Sequence, residues 1–107
     1  MNQKEEFKKA KEFFDNCYKT LIGKAHDYAQ ADACFSNFKK IATVIEVPVE
    51  KVFLMFMTVK IARLIELQKK QITKVGESMA DSLLDIANYA CLASLYLKEE
   101  DNELRRT

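Results

Sequence analysis

Apolar residues recur at helical spacing along most of the chain. Phe7, Ala10, Phe14, Cys17, Tyr18 and Leu21 fall three and four apart, with Lys and Glu between them. This rhythm predicts an amphipathic helix from about Lys4 to Leu21, closed by Gly23. From Gly23 to Asp32 the stripe is lost. Lys24, His26, Asp27, Tyr28, Gln30 and Asp32 crowd together there and predict a loop or frayed helical end. A second helix is expected from about Phe35 to Glu46. Pro48 opens a third, since proline suits a first helical turn. This third helix runs to about Thr73 and is the most hydrophobic. Gly76 is expected to break the chain, and a fourth helix to run from about Glu77 to Glu99. The charged tail from Glu100 to Thr107 is expected to fray. The fold class is therefore all-α, an antiparallel bundle of four main helices in one domain, 1–107, with its core at about 4–99.

Placing the charges on these helices changes the picture. A helix turns about 100° per residue. In the third, Thr58, Ala62, Glu66 and Lys69 share a natural water face. Lys60 and Arg63 lie opposite, in the stripe of Phe53, Phe56, Leu64 and Leu67. In the fourth, Glu77, Asp81, Asp85 and Asn88 form one stripe that continues into Leu92 and Tyr96. Its far side holds Met79, Leu83, Ile86, Ala87, Ala90 and Leu97, so the helix has little water face and is expected to make contacts on several sides. Carboxylates sharing a stripe repel each other unless something positive lies nearby. Lys60 and Arg63, or a bound cation, can supply that charge. Three arrangements are open. The four groups form a closed structural network, or they line a pocket, or the acidic stripe is simply solvated. In the pocket, Lys60 and Arg63 hold phosphate oxygens, while Asp81 and Asp85, with Glu77 above them, hold Mg²⁺ or a sugar hydroxyl.

Composition narrows the function classes. The 107 residues suit one modest core, and two glycines and one proline are too few for the turns of a β-rich domain. Seventeen basic and sixteen acidic residues leave a net charge of +1, without the basic footprint of a duplex nucleic-acid binder. The longest apolar run, Val52 to Val59, is interrupted by Thr58, so no membrane span is expected. Cys17, Cys34 and Cys91 form no CxxC pair, which argues against zinc. Without a secretory signal they are expected to be reduced thiols in a cytoplasm. No Ser/His/Asp constellation and no glycine-rich phosphate loop is present.

Four motifs in order carry a family resemblance: His26-Asp27-Tyr28, Phe35-Ser36-Asn37-Phe38, Lys60-Ile61-Ala62-Arg63-Leu64, and the run from Glu77 to Ala90. Together they resemble the phage and prophage family called nucleotide modification associated domain 1, over roughly His26 to Leu97. That family is similar to the all-α nucleotide pyrophosphatases of the MazG and dimeric dUTPase kind. The similarity implies a helical domain that oligomerises and hydrolyses nucleoside triphosphates with Mg²⁺, held by EExxE on one helix and ExxD on the next. This chain departs from that signature. Lys60 and Arg63 stand where the acidic cluster belongs. Asp85 matches the final Asp, but Ser82 sits three residues before it, and Asp81 is offset by one. Cations in place of acids imply direct phosphate binding, with Mg²⁺ or with no cofactor.

The resemblance makes Lys24, His26, Asp27, Tyr28, Asn37, Phe38, Lys60, Arg63 and Asn88 candidate nucleotide contacts, and Asp81, Asp85 and Glu77 candidate metal ligands. Each has a plainer alternative. His26 is a possible acid–base group or a solvated loop histidine. Tyr28 stacks on a base or edges the core. Asn37 and Asn88 read a base edge or cap and brace helices. Phe53, Met55, Phe56 and Met57 are expected in the core or a subunit interface. The wide apolar arc of the third helix implies a homodimer or larger assembly. Three functions follow: a nucleotide binder with or without pyrophosphohydrolase activity, a non-catalytic protein that sequesters a nucleotide signal in phage–host conflict, and a structural or partner-binding bundle. The first two place the chain in the host cytoplasm with a nucleotide-derived partner.

Overall fold

The computed structural model describes the backbone of residues 1–28, 33–70 and 75–106 and the side chains of 1–23, 35–70 and 79–103. Among the described residues there are four helices: α1, Gln3–Tyr28; α2, Ala33–Ile45; α3, Val49–Gln68; and α4, Val75–Arg106. Among the described residues there is no strand. The helices pack as a bundle in which α3 lies along α4, α2 covers α3, and α1 leans on α4. The pairs Phe53–Tyr96, Phe56–Tyr89 and Lys60–Asp85 step down α3 as they step up α4, so these two helices are antiparallel.

Gly23 lies inside a helix, contrary to its expected role as a breaker, whereas Gly76 is the second residue of α4, close to the expected start at Glu77. Gly23 has no positive φ, and α1 continues through it to Tyr28. A glycine costs about 1 kcal/mol in a helix interior, which lowers the stability of a helix without ending it. α4 begins before Gly76 and continues through the charged tail to Arg106. Spacing and charge suggested fraying there. Instead, the Tyr96 hydroxyl donates to a Glu100 oxygen at 2.7 Å and braces the turn that leads into the tail. α3 stops at Gln68, short of Thr73. Its final turn tightens as the Lys69 and Lys70 amides donate to the Glu66 and Leu67 carbonyls. Residues 71–74 lie outside the described residues.

The link between α2 and α3 is set by a local motif. Glu46 follows α2 in the left-handed region at φ 58°. The Val47 amide donates to the Ala42 carbonyl at 3.1 Å, the six-to-one bond of a Schellman stop. Val47 and Ala42 both belong to the core cluster, the hydrophobic contact that accompanies this motif. Pro48 then stands one residue earlier than expected, at the N-cap of α3, with ψ 149°.

The core is aromatic. Phe38 of α2 packs on Phe53 with ring centroids 4.5 Å apart and meets Phe56 edge-on at 5.4 Å. Phe56 stacks on Tyr89 of α4 at 5.6 Å. Ala42, Val52 and Leu92 complete the buried cluster. Such aromatic pairs add about 0.5–1.5 kcal/mol each beyond the area they bury. The expected core group on α3 divides: Phe53 is fully buried, Phe56 and Met57 are half-buried, and Met55 is exposed.

The molecule is 50 × 32 × 26 Å with a radius of gyration of 16.4 Å, against about 13 Å for a compact chain of about 100 residues. The excess comes with the first half of α1. Every residue from Met1 to Asn16 is exposed, Phe7 and Phe14 included. The stripe that buries Cys17 and half-buries Leu21 continues outward with no cover.

Candidate functional site between α3 and α4

The line from Ser82 through Asp85 and Asn88 to Leu92 lies on the inner side of α4. Ser82, Asn88 and Leu92 are buried and Asp85 is half-buried, while Leu83, Ala90 and Leu97 on the other side are exposed. An apolar helix face normally turns inward. Here α4 turns Ser82, Asp85 and Asn88 towards the other helices; Asp85 and Asn88 meet partners there, and Asp81 reaches the rim.

Lys60 and Asp85 meet across the α3–α4 seam. Nζ lies 2.9 Å from Oδ2, with the side chains 27% and 19% exposed. The sequence places Lys60 among apolar neighbours. Those neighbours are present, with Phe53 buried and Phe56 and Leu64 half-buried. A pair at this depth is stronger than a surface ion pair, because fewer waters compete for either charge.

Asn88, one turn further along α4, is 6% exposed. Its Nδ2 donates to the Cys17 carbonyl at 3.1 Å, so it pins α4 to α1. A helix carbonyl already receives a backbone bond and has a second lone pair available for such a contact. Nothing in residue spacing marks Cys17 as this acceptor. Burial pushes the neighbouring Cys17 thiol up from its ordinary pKa, which keeps it protonated and unreactive at neutral pH. Cys91 is a free, exposed thiol.

Arg63 and Asp81 differ from their expected inward setting: both are exposed. Because α3 and α4 are antiparallel, one turn forward on α3 is level with one turn back on α4. Arg63 and Asp81 therefore stand at the same height, one turn beyond the Lys60–Asp85 pair. Long side chains at the end of a helix pair keep their charged heads in water. The result is an inner ion pair with a second, solvated cation and anion at its outer rim.

The remaining candidates lie elsewhere or outside the described residues. Phe38 is one of the core rings. Asn37 is exposed in the second turn of α2, too far inside the helix to cap it. Lys24, His26, Asp27 and Tyr28 sit in the last turns of α1, and Glu77 in the first turn of α4; their side chains lie outside the described residues. So does the side chain of Cys34. Among the described residues, no three His, Cys, Asp or Glu side chains come together as a metal site, and Lys60 stands at Oδ2 of Asp85. Among the described residues, no helix is long and apolar enough to cross a membrane.

Two features went unmarked in the sequence. Ser82, buried at the seam one turn before Asp85, looked only like a mismatch to a metal motif. At the opposite end of α3, Lys39, Thr43, Glu50, Tyr96 and Glu100 line a shallow polar recess. There the bond to Glu100, with burial behind it, pushes Tyr96 up to about 12.

Neither a curated protein nor a solved structure matches the chain. A family model does match it, over residues 24–97, described as nucleotide modification associated domain 1. The matched stretch includes the whole α3–α4 seam, and most of the exposed arm of α1 precedes it. By that match, the chain belongs to the nucleotide modification associated domain 1 family.

Proposed function

We propose that this protein binds a phosphate-bearing nucleotide at the α3–α4 seam, with Lys60 and Arg63 as the phosphate-holding cations. The observation that carries the reading is the Lys60–Asp85 pair, a charge-assisted contact at the edge of an aromatic core with a solvated arginine one turn outward. An ammonium held in place by a carboxylate is oriented before the ligand arrives, which lowers the ordering cost of binding. Arg63 adds a planar fork suited to phosphate oxygens. The family's description ties the matched stretch to nucleotide modification, which favours a nucleotide over a simple anion. The last turns of α1, with Lys24, His26, Asp27 and Tyr28, and Asn37 of α2 are the further contacts of this reading. The protein acts in the cytoplasm of a phage-infected or prophage-bearing cell and self-associates, as do the all-α pyrophosphohydrolases it resembles.

Asp81 and Asp85, with Glu77, are the carboxylates that would carry a Mg²⁺ accompanying the phosphates. The described pair makes an incomplete cage on its own, because Lys60 already neutralises Asp85. Binding is therefore the primary function, with hydrolysis secondary to it. Thermal melting against a panel of nucleoside mono-, di- and triphosphates tests the reading. At least one class should raise Tm, and Arg63→Ala should abolish the shift while leaving the unliganded Tm in place. Product release that depends on Mg²⁺ would identify a hydrolase, and recovery of intact ligand a sequestering protein.

The 2.9 Å contact also supports a second reading, in which the pair is a closed structural clasp. A double-mutant cycle of Lys60→Ala and Asp85→Ala separates the two. A clasp alone shows coupling in stability and no change in any ligand response.

A further inference from the structure

We propose that the N-terminal arm of α1 docks antiparallel into the apolar groove on the outer side of α3 and α4 of a second copy, so that two chains exchange arms. This rests on, and sharpens, the self-association in the functional reading and is independent of the nucleotide.

The arm is a stiff amphipathic helix without cover. Phe7, Ala10 and Phe14 continue the stripe that Cys17 and Leu21 bury, yet Phe7 is 64% and Phe14 65% exposed. The groove is the complementary element. It has a volume of about 560 Å³ and a floor of Ala90, Ala93 and Ser94, closed by Met57 and Leu97, with Lys98 and Asp101 at its rim. Small residues along a helix let bulky ones approach closely. The spacing also agrees in the antiparallel sense: Phe7, Ala10 and Phe14 step by three and four, as do Leu97, Ser94 and Ala90 read backwards.

A chain cannot fill its own groove. The groove lies about half a turn around α4 from Asn88, which faces α1, and α1 is one continuous helix from Gln3 to Tyr28 with no proline to bend it. In the antiparallel register, Phe7 lies over Leu97 and Phe14 over Ala90. That register brings Lys4 level with Asp101 on the same side of the helix pair, so opposite charges meet at that end of the rim. Phe7, Phe13, Phe14 and Tyr18 are all exposed on the arm. At about 150–250 Å² per aromatic ring, of which about two-thirds is open at Phe7, Phe14 and Tyr18, each arm offers roughly 300–500 Å², and two exchanged arms with the groove surface they cover reach the roughly 1,200–2,000 Å² of a stable interface. A membrane surface suits the arm less well, because Lys4, Lys8, Lys9 and Lys11 are offset by Glu5, Glu6, Glu12 and Asp15.

Sedimentation velocity of the full chain, of an arm variant (Phe7→Ser with Phe14→Ser) and of a groove variant (Ala90→Arg with Leu97→Arg) tests the exchange. All four positions are exposed, so both variants should keep their helical circular dichroism. The expected result is a dimeric parent and two monomeric variants, with self-association weakened about thirtyfold or more by loss of two central aromatic anchors. Mixing the variants should restore a heterodimer, because one intact arm still meets one intact groove. A dimeric arm variant would overturn the exchange and leave self-association standing. Monomeric arm variant with dimeric groove variant would mean arm-to-arm pairing and would also overturn it. A parent chain that is monomeric, with or without binding to anionic vesicles, would remove both arm exchange and self-association, and the nucleotide melting assay would be unaffected.

Discussion

Two faces of α4 hold opposite kinds of residue from those their positions suggest. The inner face carries Ser82, Asp85 and Asn88 before it reaches Leu92, while the outer face shows Leu83, Ala90 and Leu97 to water. The inner polar groups are sustained by partners: Lys60 for Asp85, the Cys17 carbonyl for Asn88. Burying such groups without partners would cost several kcal/mol. The outer apolar groups Leu83 and Leu97 leave about half of their surface in water. The difference separates two tasks on one helix. The inner face positions charge at the edge of the core, and the outer face remains available for another surface.

The comparison is broken most forcefully at the core that the inner face rests on. Phe53→Ala should cost about 3–5 kcal/mol, read as the shift in a urea midpoint, whereas Leu97→Ser on the outer face should change the stability of the isolated monomer by less than about 0.5 kcal/mol. Equal losses at the two sites would contradict the assignment of faces. Next in size is Asn88→Ala. It removes the donor to Cys17 and loosens α1 from α4, with an expected cost of about 1–3 kcal/mol in the same assay. Hydrogen exchange should show the gain in opening at the α1–α4 contact first.

Smaller effects sharpen the account. Glu46→Gly should raise stability by about 1 kcal/mol, because glycine enters the left-handed region without the Cβ clash; a decrease would show that the Glu46 side chain contributes something the backbone does not. The last effect concerns pH. Tyr96 has its pKa raised from 10.0 to about 12, so the folded state keeps a proton that the unfolded chain loses first. This contribution is complete below about pH 10 and disappears as pH rises towards 12. Phenolate absorbance of the parent against Tyr96→Phe should show one late-titrating tyrosine. If all four titrate together near 10, the Glu100 contact does not persist in solution.

The sequence made the helices legible because their apolar spacing is regular, and it located Lys60 and Asp85 because charge inside an apolar stripe is conspicuous. Gly23 misled because glycine lowers the stability of a helix without ending it, whereas Gly76 marked the start of α4 to within two residues. The Schellman stop at Glu46 was invisible, since Glu has no preference for a positive φ. Arg63 and Asp81 share a periodicity with the half-buried pair, yet helical angle alone does not say where a bundle runs out of neighbours. The Asn88–Cys17 bond joins a side chain to a backbone carbonyl 71 residues away, a contact that only the packed fold can reveal.

The central claim is that Lys60, oriented by Asp85, and Arg63 beside it receive a nucleotide's phosphates. Isothermal titration of the full chain with ATP and with dUTP, each with and without Mg²⁺, measures this directly when repeated on Lys60→Ala and Arg63→Ala. The account predicts saturable binding of at least one triphosphate to the parent chain, and its loss in both variants while their helical circular dichroism is retained. Binding of the same strength in the parent and both variants, or no binding by the parent chain under any of these conditions, would contradict it.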